Sequence, residues 1–435
     1  MARWIYSALF YLAQPLVLLR LLWRARRQPE YRQHWAERYG FYVPRSIVAE
    51  KLLWLHAVSL GETRAAEPLI EALLAQYPEH HLLLTHMTPT GRAAGGEICE
   101  RYGARVSQAY LPYDLPGAVG RFLQHYAPHI GLLMETELWP NLLAAAKARD
   151  LPMLLLNARL SERSQRGYQR FLPLIRPALQ ALHGVAAQTA ADAERLIDLG
   201  LPRARLHVCG NLKFDVTPSP EKRQLGASWR QQLGTRPVYL AASTREGEEA
   251  LLLNAWLKRH EKRVENGAAP DILLLLVPRH PQRFYEVVAL LAARGLTFCR
   301  RSEGALPSPE TQVWLGDSMG EMPAYFALAD LALIGGTLLP FGGQNLIEAA
   351  ACGCPVFVGP HCFNFAQATA DALASGAAQR VDDAADAVLQ AEKLLPDRAA
   401  LQAMRAAAEG FSQAHRGATA RTLAVIDEAL ASCVE

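Results

Sequence analysis

The sequence predicts an α/β protein in which two doubly wound parallel sheets follow one another along the chain. Three observations predict it. Short apolar runs alternate with helical patterns from Leu52 to Cys209, and again from Val238 to Val358. A polar stretch, VTPSPEKRQLG at 216–226, separates the two series. Within the second series, residues 331–360 place two glycine pairs between a strand and a helix, a pattern that lets backbone approach a ligand closely.

The N-terminal segment comes first and stands apart. Trp4 to Trp23 is about long enough to cross a bilayer as a helix, although Gln14, Pro15 and Arg20 interrupt it. It lacks the small-residue cleavage pattern of a signal peptide. Arg24, Arg26, Arg27 and Arg32 follow, a flank that keeps the downstream chain in the cytoplasm. A tilted signal-anchor, an interfacial helix and a helix packed on the soluble body all fit; apolar helix and basic flank together favour membrane attachment. The net charge of +3 is too small to argue for nucleic acid, and seven arginines against two glutamates between Arg20 and Arg45 place the excess in this arm. Seven cysteines (Cys99, Cys209, Cys299, Cys352, Cys354, Cys362, Cys433) form no CxxC pair and complete no zinc spacing. They read as reduced, mostly buried thiols of a cytosolic protein, with no metal site.

Strands are expected next over Leu52–Val58, His81–His86, Ile130–Met134, Met153–Leu156, Gly184–Ala187 and Leu206–Cys209. Helices fall between them at Arg64–Gln76, Thr90–Tyr102, Leu115–His125 and Leu138–Arg149; Pro68 suggests a kink or irregular first turn in the first of these. The second series has strands Val238–Ala242, Ile272–Val277, Thr297–Cys299, Val313–Leu315, Leu331–Ile334 and Val356–Val358, then a helical tail from Arg398 to Ser432. At 435 residues, 51% hydrophobic, the chain holds two globular domains of ordinary size. The expected divisions are an N-terminal helix and basic arm at 1–45, a Rossmann-like domain at 46–216, a linker at 217–236, a second Rossmann-like domain at 237–410 and a C-terminal helix at 411–435.

Ligands of such sheets bind at the carboxyl ends of strands, so a central cleft faced by two of them is the expected site. Polar residues gather at those ends. Glu62 ends the first strand-to-helix turn, where it suits a base held ionised by the helix start, or a plain helix-start glutamate. Glu135 and Glu137 follow another strand and are catalytic or structural acids. Arg159 and Lys213 bring positive charge to the same rim. In the second half, Arg279 suits a phosphate or carboxylate, and neighbouring His280 either meets the ligand or caps a turn. The segment 316–321 starts a helix whose amides and Met319 border a base. Asn345 and Glu348 lie on the helix after the second glycine pair, with Glu348 placed for ribose hydroxyls; a glycine-lined loop with a surface glutamate is the plain alternative. Acids in one half and anion binders in the other fit transfer from an activated nucleotide donor to a hydroxyl. Hydride transfer and P-loop chemistry fit worse, since neither GxGxxG after the first strand nor GxxxxGK[ST] is present.

At these residues the sequence resembles the Kdo (3-deoxy-D-manno-octulosonic acid) transferases of lipopolysaccharide biosynthesis, a GT-B glycosyltransferase family. The matching stretches are HAVSLGET (56–63), MTPTG (87–91), YLPYDLP (110–116), METELWPN (134–141), NARLS (157–161), GNLKFD (210–215), LVPRHPQRF (276–284), GDSMGEM (316–322), GGQNLIEAA (342–350) and GPHCFNF (359–365). They run in family order across nearly the whole chain. The resemblance implies a GT-B fold, an acceptor-binding first domain and a nucleotide-sugar-binding second. It implies CMP-Kdo as donor, the lipid A precursor lipid IVA as acceptor, no cofactor, and attachment to the cytoplasmic side of the inner membrane. By matching position, Glu62 is the general base, and Glu135 and Lys213 support the transition state. Pro278, Arg279, Met319, Gly320, Glu321, Asn345, Leu346, Ile347 and Glu348 hold CMP. Gln344 departs from the histidine frequent in the family. The expected reaction is an inverting transfer; the rivals are a transferase using a UDP- or ADP-sugar and a two-lobed binding protein without catalysis.

Overall fold

The computed structural model describes residues 1–26, 28–43, 51–265 and 272–432. Arg27, Arg45, Cys433 and the expected 45/46 boundary lie outside the described residues. The chain forms two compact units, Met1–Val216 with Arg416–Glu435, and Thr217–His415.

The first unit is built on strands β1 (Leu52–His56), β2 (His81–His86), β3 (Val106–Tyr110), β4 (Ile130–Met134), β5 (Met153–Ala158), β6 (Gly184–Ala187) and β7 (Leu206–Val208). All pair in parallel, in the order β3-β2-β1-β4-β5-β6-β7. Leu52 and Trp54 of β1 join one apolar cluster while Leu53 and Leu55 join another, so alternate side chains enter two cores. Burial of both faces explains the continuous apolar runs. The strand order reverses beside β1, which makes the carboxyl ends of β1 and β4 the switch point where ligands of such sheets gather.

The second unit repeats the scheme with β8 (Val238–Thr244), β9 (Leu273–Pro278), β10 (Phe298–Arg300), β11 (Val313–Leu315), β12 (Leu331–Ile334), β13 (Val356–Val358) and β14 (Ala378–Arg380). Its parallel order is β10-β11-β9-β8-β12-β13-β14, with the switch point between β8 and β12. Two strands, β3 and β14, lie outside the sequence expectation. Both are edge strands with mixed polar residues, so the apolar signal is weak there.

Three segments take a more detailed form than their sequence reading. The N-terminal stretch is two helices, Ala2–Leu12 and Gln14–Arg24, bent by 49°. Pro15, in the first turn of the second helix, cannot continue the preceding ladder of hydrogen bonds. No single helix among the described residues is long and apolar enough to cross a membrane; the bent pair passes that test by length and composition only. The 217–236 segment carries a helix, Pro220–Leu233, whose Gly226 lies against the Ala324 carbonyl with no room for a side chain. Trp229 of that helix packs edge-on to Trp314 at 5.2 Å, tying the segment to the second unit.

The tail is two helices, Arg398–Ala414 and Ala418–Ala431, broken at Gly417 with φ +91°. The last helix returns to the first unit, where Val425, Ile426 and Ala429 enter its core. Asp215 caps it remotely by accepting from the Gly417 amide at 2.7 Å and from the Thr419 amide. Its motif therefore carries a structural acid beside Lys213. Asp215→Ala is expected to lower stability by about 1–2 kcal/mol in urea unfolding, the usual worth of such a cap; an unchanged midpoint would show that the cap contributes nothing.

Candidate active site

In the first unit the site grows from the ends of β1, β4 and β5 and from the 3-10 turn Leu212–Asp215. Ser59 caps the helix Leu60–Gln76, and Glu62 folds back over the cap. Its carboxylate accepts from the Val58 amide at 2.8 Å and from the Ser59 hydroxyl at 3.0 Å. Glu135 follows β4 in a left-handed conformation, φ 58°, which is costly for a residue with a side chain. Lys213 donates to one Glu135 oxygen at 2.9 Å, and Arg159 lies 3.8 Å from the other. Asn157 also has positive φ, 52°, and its side-chain oxygen accepts from the Leu212 amide at 3.1 Å, fixing the turn that delivers Lys213.

Charge balance decides what these groups do. Burial pushes Glu62 up to about 7, the nearby Glu135 carboxylate adds to the rise, and the bonds from Val58 and Ser59 oppose it. Glu137 is also raised, first by burial, against a hydrogen bond from Trp139, with Glu135 adding to the rise. The helix start therefore does not hold Glu62 ionised well below neutrality, as the sequence alone suggested. Desolvation and like charge outweigh it, and the outcome is a carboxyl group poised near the pH at which a base works best.

In the second unit the predicted nucleotide residues gather at the ends of β9, β11 and β12. Pro278 closes β9, and the Arg279 amide donates to the Thr244 carbonyl at 3.0 Å. The Arg279 side chain donates to Gln344 at 3.2 Å, so the residue that departs from the family pattern holds the arginine in place. Met319 is exposed and Gly320 has φ +74°, leaving an open turn beside them. Glu321 is buried and bound by the Ser318 hydroxyl and by Arg301 at 3.0 Å, so its carboxylate supports the turn. Asn345 caps the helix Leu346–Ala351 through the Ile347 amide at 3.1 Å. Leu346 and Ile347 bury their side chains, which leaves only their backbone for a ligand. Burial raises Glu348 to about 6, and the Arg279 charge opposes that rise.

One residue changes the expected use of the glycine loop. Glu248, buried at the start of the helix after β8, accepts from the Gly336 amide at 2.6 Å, the Leu338 amide at 3.0 Å and the Arg245 amide at 2.9 Å. The Gly336 and Leu338 amides after β12 are thus occupied by a carboxylate of the protein. Sequence reasoning assigned Glu248 no role; its signal is an acid pair, Glu248-Glu249, directly after a strand-end glycine.

A family model described as 3-deoxy-D-manno-octulosonic-acid transferase (kdotransferase) matches residues 33–216. A 3-deoxy-D-manno-octulosonic acid transferase of Bordetella pertussis is 46% identical over 440 residues, covering 98% of this chain and 99% of its own. The chain belongs to the Kdo transferase family. The Haemophilus influenzae relative of the same name is 37% identical over 428 residues, 97% of each chain. A solved glycosyltransferase from Rickettsia africae shares the fold, at 14% identity and a TM-score of 0.60 over 88% of this chain and 99% of its own. As a Kdo transferase the chain is a glycosyltransferase, as its strand-end residues led one to expect.

The raised Glu62 has a consequence for folding of this Kdo transferase. Its ordinary value is 4.5, so above about 7 the native state carries a charge that it holds less well than the unfolded chain. Below 4.5 both states are neutral and the penalty vanishes. Glu62→Gln is expected to raise Tm by several degrees at about pH 8 and to leave it unchanged at about pH 4. Equal shifts at both values would show that Glu62 ionises normally.

Proposed function

We propose that the chain transfers Kdo from CMP-Kdo to a hydroxyl of the lipid A precursor lipid IVA in lipopolysaccharide biosynthesis, with inversion at the anomeric carbon. The observation that carries the reading is Glu62, a carboxyl group raised to about 7 next to a second, cation-paired carboxylate. Glu62 takes the proton of the acceptor hydroxyl as that oxygen attacks the anomeric carbon. The bond to CMP breaks, and its electron pair leaves with the phosphate. Lys213 and Arg159 pair with Glu135, and the Glu135 charge in turn strengthens Glu62 as a base. A single base with its neighbour committed to cations supports one direct displacement, hence inversion. Arg279 meets the leaving phosphate and Glu348 the ribose, consistent with the charge of one acting on the other.

The acceptor carries a lipid, and the N-terminal helices suit a membrane surface. One side is tied to the body by Ser7 to Asn141 at 3.1 Å and Tyr39 to Gln14 at 3.1 Å. Trp4, Leu9, Leu12, Leu16, Leu19 and Trp23 are exposed, with Arg20, Arg24 and Arg26 close in sequence. An apolar face with a basic flank supports an interfacial seat on the cytoplasmic side of the inner membrane.

The test is mass spectrometry of lipid IVA incubated with CMP-Kdo. The protein should add Kdo, and Glu62→Gln should lose about 10²–10⁴-fold in rate while still binding CMP. Undiminished turnover by that variant would remove Glu62 as the base.

A further inference from the structure

The donor carries two anions, a phosphodiester and the carboxylate of its sugar, and two cations of the second unit, Arg245 and Arg279, follow adjacent parallel strands at their carboxyl ends. Among the described ion pairs, Arg283 is matched by Glu249, Arg300 by Asp317, Arg301 by Glu321 and Arg230 by Asp330. Neither Arg245 nor Arg279 has a carboxylate within ion-pair distance among the described residues, and both are only partly exposed at the ends of β8 and β9. Arg245 and Gln344, the residue that holds Arg279, meet at one backbone position. A side chain added at Gly336 would meet Gln344, the partner of Arg279, at 3.4 Å and the Arg245 stem at 3.5 Å. His280, beside them, is depressed by burial and then by Arg245, Arg279 and Arg283, which shows that the cations share one small region.

Glu248 removes two of the other candidates for anion binding, the Gly336 and Leu338 amides. Its carboxylate fills the amides of Gly336 and Leu338, so an anion at that loop is met by side chains rather than by those two amides. The same carboxylate also fixes the Arg245 backbone, and the Arg245 guanidinium lies 4.8 Å from the centre of the Phe341 ring, which restricts its reach without neutralising it. Arg279 is held at 3.2 Å by Gln344, which adjoins the Asn345 cap of the helix that carries Glu348, and so falls on the side proposed for the nucleotide.

We propose that Arg245 is the residue that binds the sugar carboxylate of the donor, while Arg279 binds its phosphate. This inference rests on the proposed use of a CMP-activated acidic sugar. Arg245 then selects for donors bearing a carboxylate at the transferred carbon skeleton, and CMP alone does not engage it.

The experiment compares CMP-Kdo as substrate with CMP as competitive inhibitor, in the full chain and in Arg245→Ala and Arg245→Lys. The backbone bond to Glu248 survives both substitutions, and thermal unfolding checks that the fold does too. Arg245→Ala should raise the KM for CMP-Kdo by about 10- to 100-fold and leave the inhibition constant of CMP within about twofold, with Arg245→Lys intermediate. Equal weakening of CMP and CMP-Kdo would place Arg245 on the phosphate and overturn the assignment. No change in either would remove Arg245 from the site. A full chain that fails to use CMP-Kdo would instead overturn the proposed donor, a result separable from both.

Discussion

Three carboxyl groups share the end of one sheet with two cations, and they cannot all ionise at the same cost. Lys213 and Arg159 both lie within ion-pair distance of Glu135. Glu62 and Glu137 receive no such cation among the described ion pairs and are both raised by burial and by Glu135. Like charge in a poorly hydrated place thus raises two carboxyl groups beside a third that is paired with cations. The strained backbone at Glu135 and Asn157 belongs to the same arrangement, because those conformations bring the anion and the Lys213 turn together.

The second unit solves a different electrostatic problem with a related device. Its glycine-framed loop has the look of an anion cradle, yet Glu248 sits in the cradle. An internal carboxylate occupies the Gly336 and Leu338 amides, and in the proposed reading guanidinium groups, which discriminate in direction and distance, take over recognition there. Gln344 is part of that design, since it holds Arg279 where a histidine was the expected residue.

Much of this was legible in the chain. The central strands of both sheets announced themselves as apolar runs because both faces of each sheet are covered, and β2, β4, β6, β11, β12 and β13 run over the residues expected. The edge strands β3 and β14 did not, since half-exposed positions accept Ser, Gln and Arg. Glu62, Glu135 and Lys213 stand out in the sequence by their place after strands, their roles being implied by the family resemblance, and the structure brings Glu135 and Lys213 into contact. The ionisation of Glu62 was misread, because burial and the neighbouring acids are properties of three dimensions. Glu248 was missed for the same reason: its partners lie about 90 residues onward, at Gly336 and Leu338. The last helix was seen as a helix, but not as one that returns to the first unit and takes its cap from Asp215.

The pH dependence of kcat/KM for transfer tests the central charge argument most directly. With Glu62 as a base raised by its surroundings, the acidic limb should bend at about 7 in the full chain, and should shift downward in Glu135→Gln as the neighbouring negative charge is removed. An acidic limb at the ordinary value of 4.5, unmoved by Glu135→Gln, would contradict it.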